Sequence, residues 1–425
     1  MKKFTILSLT LCLLAFTYSD TNIWVQKAYY GGGPRSNATS FTIGNYAYVG
    51  TGTMNNPAWT KLLESSFTKT LYRYDPTQDV WRRMADLPSS AVARMNAIGF
   101  SINGKGYVCG GIKFVLLYEP IYNVGDIWEY NPETNLWYQR TSFPRAGGIS
   151  NGIGFSIGSK GYVGLGMATG LAGGNQYGPQ NDFYEYDPIQ NKWTRLNDFP
   201  GAPRYCDVGF SMNGKGYVGL GYSFEGNSII YYKDFWEYDQ ATDEWTRLPD
   251  FPGEGRYQHV LGYGVDGSCY IGLGDINDFY KYDVAKREWT NLSYLPGSER
   301  TGSFSFGIGS NIYYGGGVIG GSQGTVVSDM WEYKTVETTG LKESKIPDFK
   351  CYPNPTHEKI TIEMPENHTI SAIKLIDVSG KVIYENNGNK KAILELNLSN
   401  YKKGNYVLQI EGKNGTIVTK KIIKN

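Results

Sequence analysis

Histidine is almost absent from this sequence. The 425-residue chain holds three, His259, His357 and His368, so chemistry built on several imidazole ligands has little to work with. Charge is scarce as well: 19% of residues are charged and the formal net charge is +1, without the basic excess of a nucleic-acid binder. Cysteine is limited to five residues with no CxxC spacing. Cys109, Cys206, Cys269 and Cys351 therefore read as free thiols in a chain large enough to fold without staples. No apolar run reaches the roughly 20 residues of a membrane span. The longest, Ile6 to Phe16, follows Lys2 and Lys3 and precedes Thr17-Tyr18-Ser19, which predicts an export signal over residues 1–19 and a mature chain starting near Asp20. Cys12 lacks the small residues before it that a lipoprotein site needs.

Glycine and aromatics are abundant, with 54 Gly, 35 Tyr and 15% aromatic residues overall. That mixture predicts many short strands joined by tight turns. Trp24, Trp81, Trp137, Trp193, Trp245 and Trp289 recur with a period of about 50 residues. Between them the same events repeat in order. An arginine comes first: Arg35, Arg94, Arg145, Arg204, Arg256 and Arg300. An aromatic-led, Gly-ended strand follows, as in Tyr48-Val49-Gly50, Tyr107-Val108-Cys109-Gly110-Gly111 and Tyr217-Val218-Gly219. An alternating strand comes next, as in Tyr72-Arg73-Tyr74-Asp75, Trp128-Glu129-Tyr130-Asn131 and Trp236-Glu237-Tyr238-Asp239. A Trp strand ends each unit except the sixth, which stops at Tyr333-Lys334. Four strands per unit at this period predict propeller blades. The missing strand is supplied by Asn22-Ile23-Trp24-Val25, so the fold class is all-β, a six-bladed propeller over residues 20–334 closed by its N-terminal strand.

The pattern Arg … Tyr-Val-Gly-Gly … Tyr-Asp-Pro … Trp resembles the kelch repeat from Trp24 to Tyr333. It departs modestly: Thr51 stands between glycines in unit 1, and units 3 to 5 read Gly-Leu-Gly. Beyond Tyr333 the composition changes. Residues 341–425 hold fourteen Lys, nine acids and neither Trp nor Arg, and 335–348 reads as a polar linker. From Phe349 an alternating pattern predicts a small β-sandwich over 349–425. Its motifs Tyr352-Pro353-Asn354-Pro355, Asp377-Val378-Ser379-Gly380-Lys381 and Gly404-Asn405-Tyr406-Val407-Leu408, with the ending Thr419-Lys420-Lys421-Ile422-Ile423-Lys424, resemble the type A C-terminal sorting domain of type IX secretion substrates. That resemblance implies the type IX machinery as a partner and passage through the Gram-negative outer membrane. The mature protein would then be secreted or attached to the cell surface. An ordinary carbohydrate-binding or adhesion sandwich is the other reading.

The candidate site lies among the loops. Insertions between second and third strands carry Trp59, Tyr118, Tyr122, Tyr177, Tyr222, Phe224, Tyr231 and Tyr232, whereas unit 5 has only Asp275-Ile276-Asn277. A loop funnel with one low wall is expected, and exposed aromatics suit a glycan or a peptide. Arg94, Arg145, Arg204, Arg256 and Arg300, with Tyr205 and Tyr257, are candidate ligand contacts. The kelch resemblance implies such a role, since kelch domains that bind acidic peptides use such arginines. The competing reading pairs the ring with Asp126, Asp182, Asp234, Asp278 and Asp329, which open the third strand in five units, and makes it scaffold. Three residues after each arginine stand Ala38, Ala97, Gly148, Asp207, His259 and Ser303. This count puts Asp207 and His259 at equivalent places, as an acid/base pair or a buried polar pair. No metal or cofactor is expected. The leading expectation is a non-catalytic recognition module; the alternative is a metal-independent glycan-active enzyme resembling sialic-acid mutarotase. A copper galactose oxidase is disfavoured, because residues 20–333 offer only His259.

Overall fold

The computed structural model describes residues 24–55, 64–113, 122–169, 178–205, 208–226, 228–256, 260–292, 294–321 and 324–335, then 350–363, 370–377, 382–387, 393–412 and 417–425. The expected export signal lies outside these residues, as does the expected linker apart from Thr335. The chain divides into two compact units, Met1–Thr335 and Val336–Asn425.

The first unit contains six four-stranded antiparallel sheets. Blade 1 runs Thr39–Ile43, Tyr46–Gly50, Leu71–Asp75 and Val80–Arg83. Blades 2 to 5 repeat this order, starting at Ile98, Ile153, Val208 and Leu261. Blade 6 has only three strands of its own, Phe304–Ile308, Asn311–Gly315 and Met330–Lys334. Its fourth is Trp24–Lys27, paired antiparallel so that Trp24 faces Tyr333 and Lys27 faces Met330. The ring therefore closes through its N-terminal strand, which leaves blade 6 no exposed third-strand edge.

Glycine and aromatics divide the work between the axis and the rim. First strands crowd around the axis, where a Cβ added at Gly99 would lie 2.2 Å from the Ser40 carbonyl oxygen. Farther out, the Trp of each fourth strand wedges against the third strand of the blade before it. Trp245 packs on Phe183, Trp289 on Phe235 and Trp24 on Phe279, with ring centroids 5.0, 5.5 and 5.5 Å apart. The indole N–H groups also clasp the preceding blade: Trp137 donates to the Ala85 carbonyl at 2.9 Å and Trp193 to Thr141 at 2.9 Å. Cys109 and Cys269 are buried free thiols and Cys351 is half-buried; Cys206 lies outside the described residues.

The second unit is a β-sandwich. Lys350–Tyr352, Lys359–Glu363 and Ile393–Asn397 form one sheet; Val382–Asn387, Ile370–Ile376, Gly404–Gly412 and Ile417–Lys424 form the other. Ile360, Ile362, Leu375, Leu408 and Ile422 fill the space between them. The Tyr352-Pro353-Asn354-Pro355 motif holds the chain end: Asn354 Oδ1 accepts from the Ile423 N–H at 2.9 Å, and the Asn425 N–H donates to the Thr356 carbonyl at 2.9 Å.

Trp24 is 6% exposed and sits where blade 6 is sealed to blade 5. Trp24→Ala is expected to lower stability by about 3–5 kcal/mol, the range for emptying a buried aromatic site. Urea unfolding of the full chain measures it; a loss below about 0.5 kcal/mol, the size of an ordinary surface change, would show that the ring does not depend on this strand.

Candidate functional site

The six arginines enter just ahead of the first strands and are all buried. In five blades the guanidinium meets the Asp that opens the third strand. Arg94 binds Asp126 through two nitrogens at 2.5 and 2.8 Å, Arg204 binds Asp234 at 2.5 and 3.0 Å, and Arg300 binds Asp329 at 2.7 and 3.0 Å. Arg145 pairs with Asp182 and Arg256 with Asp278. Each arginine also donates to the carbonyl of the residue that follows the second strand, such as Gly110 at 3.0 Å, Leu220 at 3.0 Å and Leu273 at 3.1 Å. The charge of these five arginines is thus neutralised inside their own blades. Burial acts to raise the carboxyls of Asp126, Asp234 and Asp329, but their arginines outweigh it and hold them below the usual carboxylate range.

Blade 1 breaks the pattern. At the position of the Asp it carries Thr70, whose Oγ1 accepts from Arg35 Nη1 at 3.2 Å. Among the described residues no carboxylate pairs with Arg35.

The axis holds a cavity of about 190 Å³. Its wall is made by residues on and just ahead of the six first strands, among them Ser40, Asn96, Asn151, Gly209, Val260 and Ser303. A chain of inter-blade hydrogen bonds rings its mouth: Asn37 N–H to Gly302 O at 2.7 Å, Asn96 N–H to Asn37 O at 3.0 Å and Asn151 N–H to Asn96 O at 3.2 Å. These three Asn residues have φ near +50°, a conformation Asn adopts more readily than most residues.

Strand register corrects the count that made Asp207 and His259 equivalent. Val208 pairs with Gly219 as Leu261 pairs with Gly272, so the counterpart of Asp207 is Val260, and His259 stands one place earlier. Blade 3 shifts likewise: Ile153 pairs with Gly164, making Gly152 rather than Gly148 the counterpart. The cause is a longer lead-in from the arginine in blades 3 and 5. Asp207, His259, Tyr257 and Tyr177 themselves lie outside the described residues, as do Trp59 and Tyr118.

Blade 4 carries an aromatic hairpin, Tyr222–Glu225 paired with Ser228–Tyr231. Tyr205 and Tyr222 stack at 4.9 Å and 8°, and Phe224 stands edge-on to Tyr222 at 5.7 Å. Tyr222 is buried at the base of this stack, whereas Phe224 is 50% and Tyr231 42% exposed. Arg204 lies 4.0 Å from the Tyr232 ring centre and anchors the hairpin from below. Phe224 had the sequence signal of any loop aromatic; its exposure came only from the stack beneath it. Among the described residues no cluster of His, Cys, Asp and Glu could hold a metal ion, and no helix is long and apolar enough to cross a membrane.

The fold and the tail together define an all-β protein with a six-bladed propeller followed by a secretion-system sorting domain. Residues 350–425 match the family described as Secretion system C-terminal sorting domain, and such a domain indicates export by the type IX system. The propeller is similar to N-acetylneuraminate epimerase of Yersinia enterocolitica, 27% identical over 233 residues, or 45% of this chain and 52% of that protein. It is also similar to N-acetylneuraminate epimerase of Haemophilus influenzae, 25% identical over 276 residues, or 58% and 66%. The chain thus spans about half of the first relative's length and just under two thirds of the second's. The solved structure of YjhT shares the fold, with a TM-score of 0.60 and 16% identity over 73% of this chain and 97% of that one.

The depressed Asp values fix a pH dependence. A carboxyl held lower in the folded state than in the unfolded chain stabilises fully above the unfolded value, about 4, and the contribution is lost as pH falls through the folded one. The urea midpoint is therefore expected to hold from pH 8 to 5 and to drop in acid below about 4. Asp234→Asn should cost about 3–5 kcal/mol at pH 7 and flatten the acid drop; an unchanged midpoint would remove the pair from the scaffold.

Proposed function

We propose that this protein is an exported recognition module that binds a glycan on the loop face of its propeller, with blade 4 as the principal contact. The observation that carries the reading is the Tyr205–Tyr222–Phe224 stack. Tyr222 at its base is buried, and its edge-on outer ring Phe224 is half exposed. A preorganised aromatic face offers an apolar surface to the C–H face of a sugar at little cost in side-chain entropy. Tyr205 lies three residues ahead of Val208, on the strand whose Gly209 lines the axial cavity. Hydroxyls and amides at that mouth, including Ser40, Asn96 and Asn151, are suited to sugar hydroxyls. A peptide could use the same aromatic face, but the cavity offers no deep apolar pocket for a side chain. Delivery follows from the sorting domain, and the ligand would then be met outside the cell.

The curated relatives favour a second reading. Both are N-acetylneuraminate epimerases, and on that reading the propeller would turn over an acidic sugar. Asp207 and His259, on neighbouring blades near the axial mouth in sequence, are then the candidates for proton transfer. Arg204 and Arg256 carry internal Asp partners and are poor candidates for the sugar carboxylate.

A glycan array probed with the full chain tests the first reading. Phe224→Ala is expected to weaken the best-bound glycan about tenfold, in keeping with 0.5–1.5 kcal/mol per aromatic contact plus the lost buried area, with no change in the unfolding midpoint. Retention of full affinity by both Phe224→Ala and Tyr205→Ala would refute it. For the second, anomerisation of N-acetylneuraminate is followed by NMR; the reading requires a rate above background that Asp207→Asn or His259→Gln abolishes.

A further inference from the structure

Arg35 differs from its five counterparts in one respect. Its side chain is as buried as theirs, at 2% exposure, yet it faces only neutral acceptors. It donates to the Thr51 carbonyl at 2.8 Å, Thr70 Oγ1 at 3.2 Å and the Gly32 carbonyl at 2.9 Å. That uses three of the five N–H donors of a guanidinium, and Nε is buried with no partner among the described residues. Thr51 Oγ1 is likewise buried without a partner among the described residues. In blades 2, 4, 5 and 6 the same Nε donates to the carbonyl two residues earlier, and in blade 3 to Asp182. A carboxylate meets the guanidinium in all five, through Nη1 and Nη2 in blades 2, 4 and 6.

A hollow of about 590 Å³ opens against Arg35, Thr70, Lys69, Phe67 and Tyr72. Lys69 Nζ stands at its edge, donating to the Pro88 and Ser89 carbonyls at 3.2 and 3.3 Å. The one carboxylate among the described lining residues, Asp86, is already bridged by Arg83 at 2.8 Å. The hollow therefore has two cations in its wall and an excess of positive charge. An unpaired buried cation binds an anion through charge-assisted hydrogen bonds, and a carboxylate matches the fork of an arginine.

We propose that the blade 1 hollow is a binding site for a small organic carboxylate, whose oxygens take the place beside Arg35 that an Asp side chain fills in the other blades. The aromatic flank of Phe67 and Tyr72 accommodates a short carbon skeleton behind the carboxylate, as in a sugar acid. Burial pulls the Arg35 guanidinium below its usual value, opposed by the Tyr30 and Tyr72 hydroxyls; a bound carboxylate would reverse that loss. This site is separate from the blade 4 stack.

Calorimetric titration of the full chain with glucuronate, with glucose as the neutral control, reads the site. Glucuronate is expected to bind and to raise the melting temperature, and glucose to do neither. Thr70→Asp restores the residue of the other blades and should fold at least as stably, while weakening glucuronate binding at least tenfold. Phe224→Ala should leave glucuronate binding unchanged, which separates this site from the glycan face. Equal behaviour of glucuronate and glucose, or undiminished glucuronate binding by folded Thr70→Asp, would overturn the proposal.

Discussion

A guanidinium buried under each blade grips the carbonyl of one residue in the left-handed conformation. Thr51, Gly110, Leu165, Leu220, Leu273 and Gly316 all have φ between 55° and 65°, and each offers its carbonyl to the arginine of its own blade. For Leu or Thr this conformation costs about 1–2 kcal/mol. A hydrogen bond from a charged donor contributes about 1.5–3 kcal/mol, enough to hold the turn. The residue after the turn then reaches across the ring. Gly52 N–H donates to the Arg94 carbonyl at 2.8 Å, Gly166 to Arg204 at 3.0 Å, and Gly317 to Arg35 at 2.7 Å, across the closure. One residue thus staples its own blade with its side chain and receives the preceding blade with its backbone. The variation between Gly-Gly and Gly-Leu-Gly loses its importance, because the arginine fixes the turn whichever residue occupies it.

A second, outer set of bonds repeats the same logic with tyrosine. Tyr130, Tyr186 and Tyr238 donate to Asn135, Asn191 and Asp243 at 2.8, 2.8 and 2.9 Å. All three Asx side chains also accept an amide of the preceding blade: Asn135 from Ala85 and Asn191 from Thr141, both at 2.9 Å, and Asp243 from Asn197 at 3.0 and 3.3 Å. Blade 5 has Arg287 in the turn instead, and its Tyr282 hydroxyl is buried without a partner among the described residues. The rim bond therefore needs both a short acceptor and a left-handed turn, which Asn and Asp supply together. Arg287 meets the second requirement and fails the first.

Much of this was legible in the sequence, for a definite reason. Trp, Arg and Gly sit at positions dictated by geometry that all blades share, so period alone exposed the ring, its N-terminal closure and the Asp partners of Arg94, Arg204 and Arg300. Counting failed where blades differ in length. The lead-in of Arg145 to its strand is longer, and Ile149 takes over the backbone role that Arg94 plays one blade earlier, accepting the Gly111 N–H at 2.7 Å. Distance along the chain from an arginine is then no longer distance from the axis. Asp207 and His259 were misaligned for that reason. The blade 4 stack was legible only as composition, since Tyr222 and Phe224 are alike in sequence and differ in what lies beneath them.

Thr70 carries the sharper lesson. It stands immediately before Leu71, in the same column as Asp126 before Ile127 and Asp234 before Phe235, and five Asp in six units already marked the exception. A repeat fixes what the scaffold requires, so a scaffold position that loses its residue while its partner stays needs another account. Removing one member of a buried ion pair normally costs about 3–5 kcal/mol, and the usual compensation is to lose the other member too. Arg35 remains because two of its duties survive the loss: it still grips Thr51, and its backbone still receives Gly317. The retained charge is then a consequence of the ring's architecture, and the space beside it is where the sequence is free to admit something from solution.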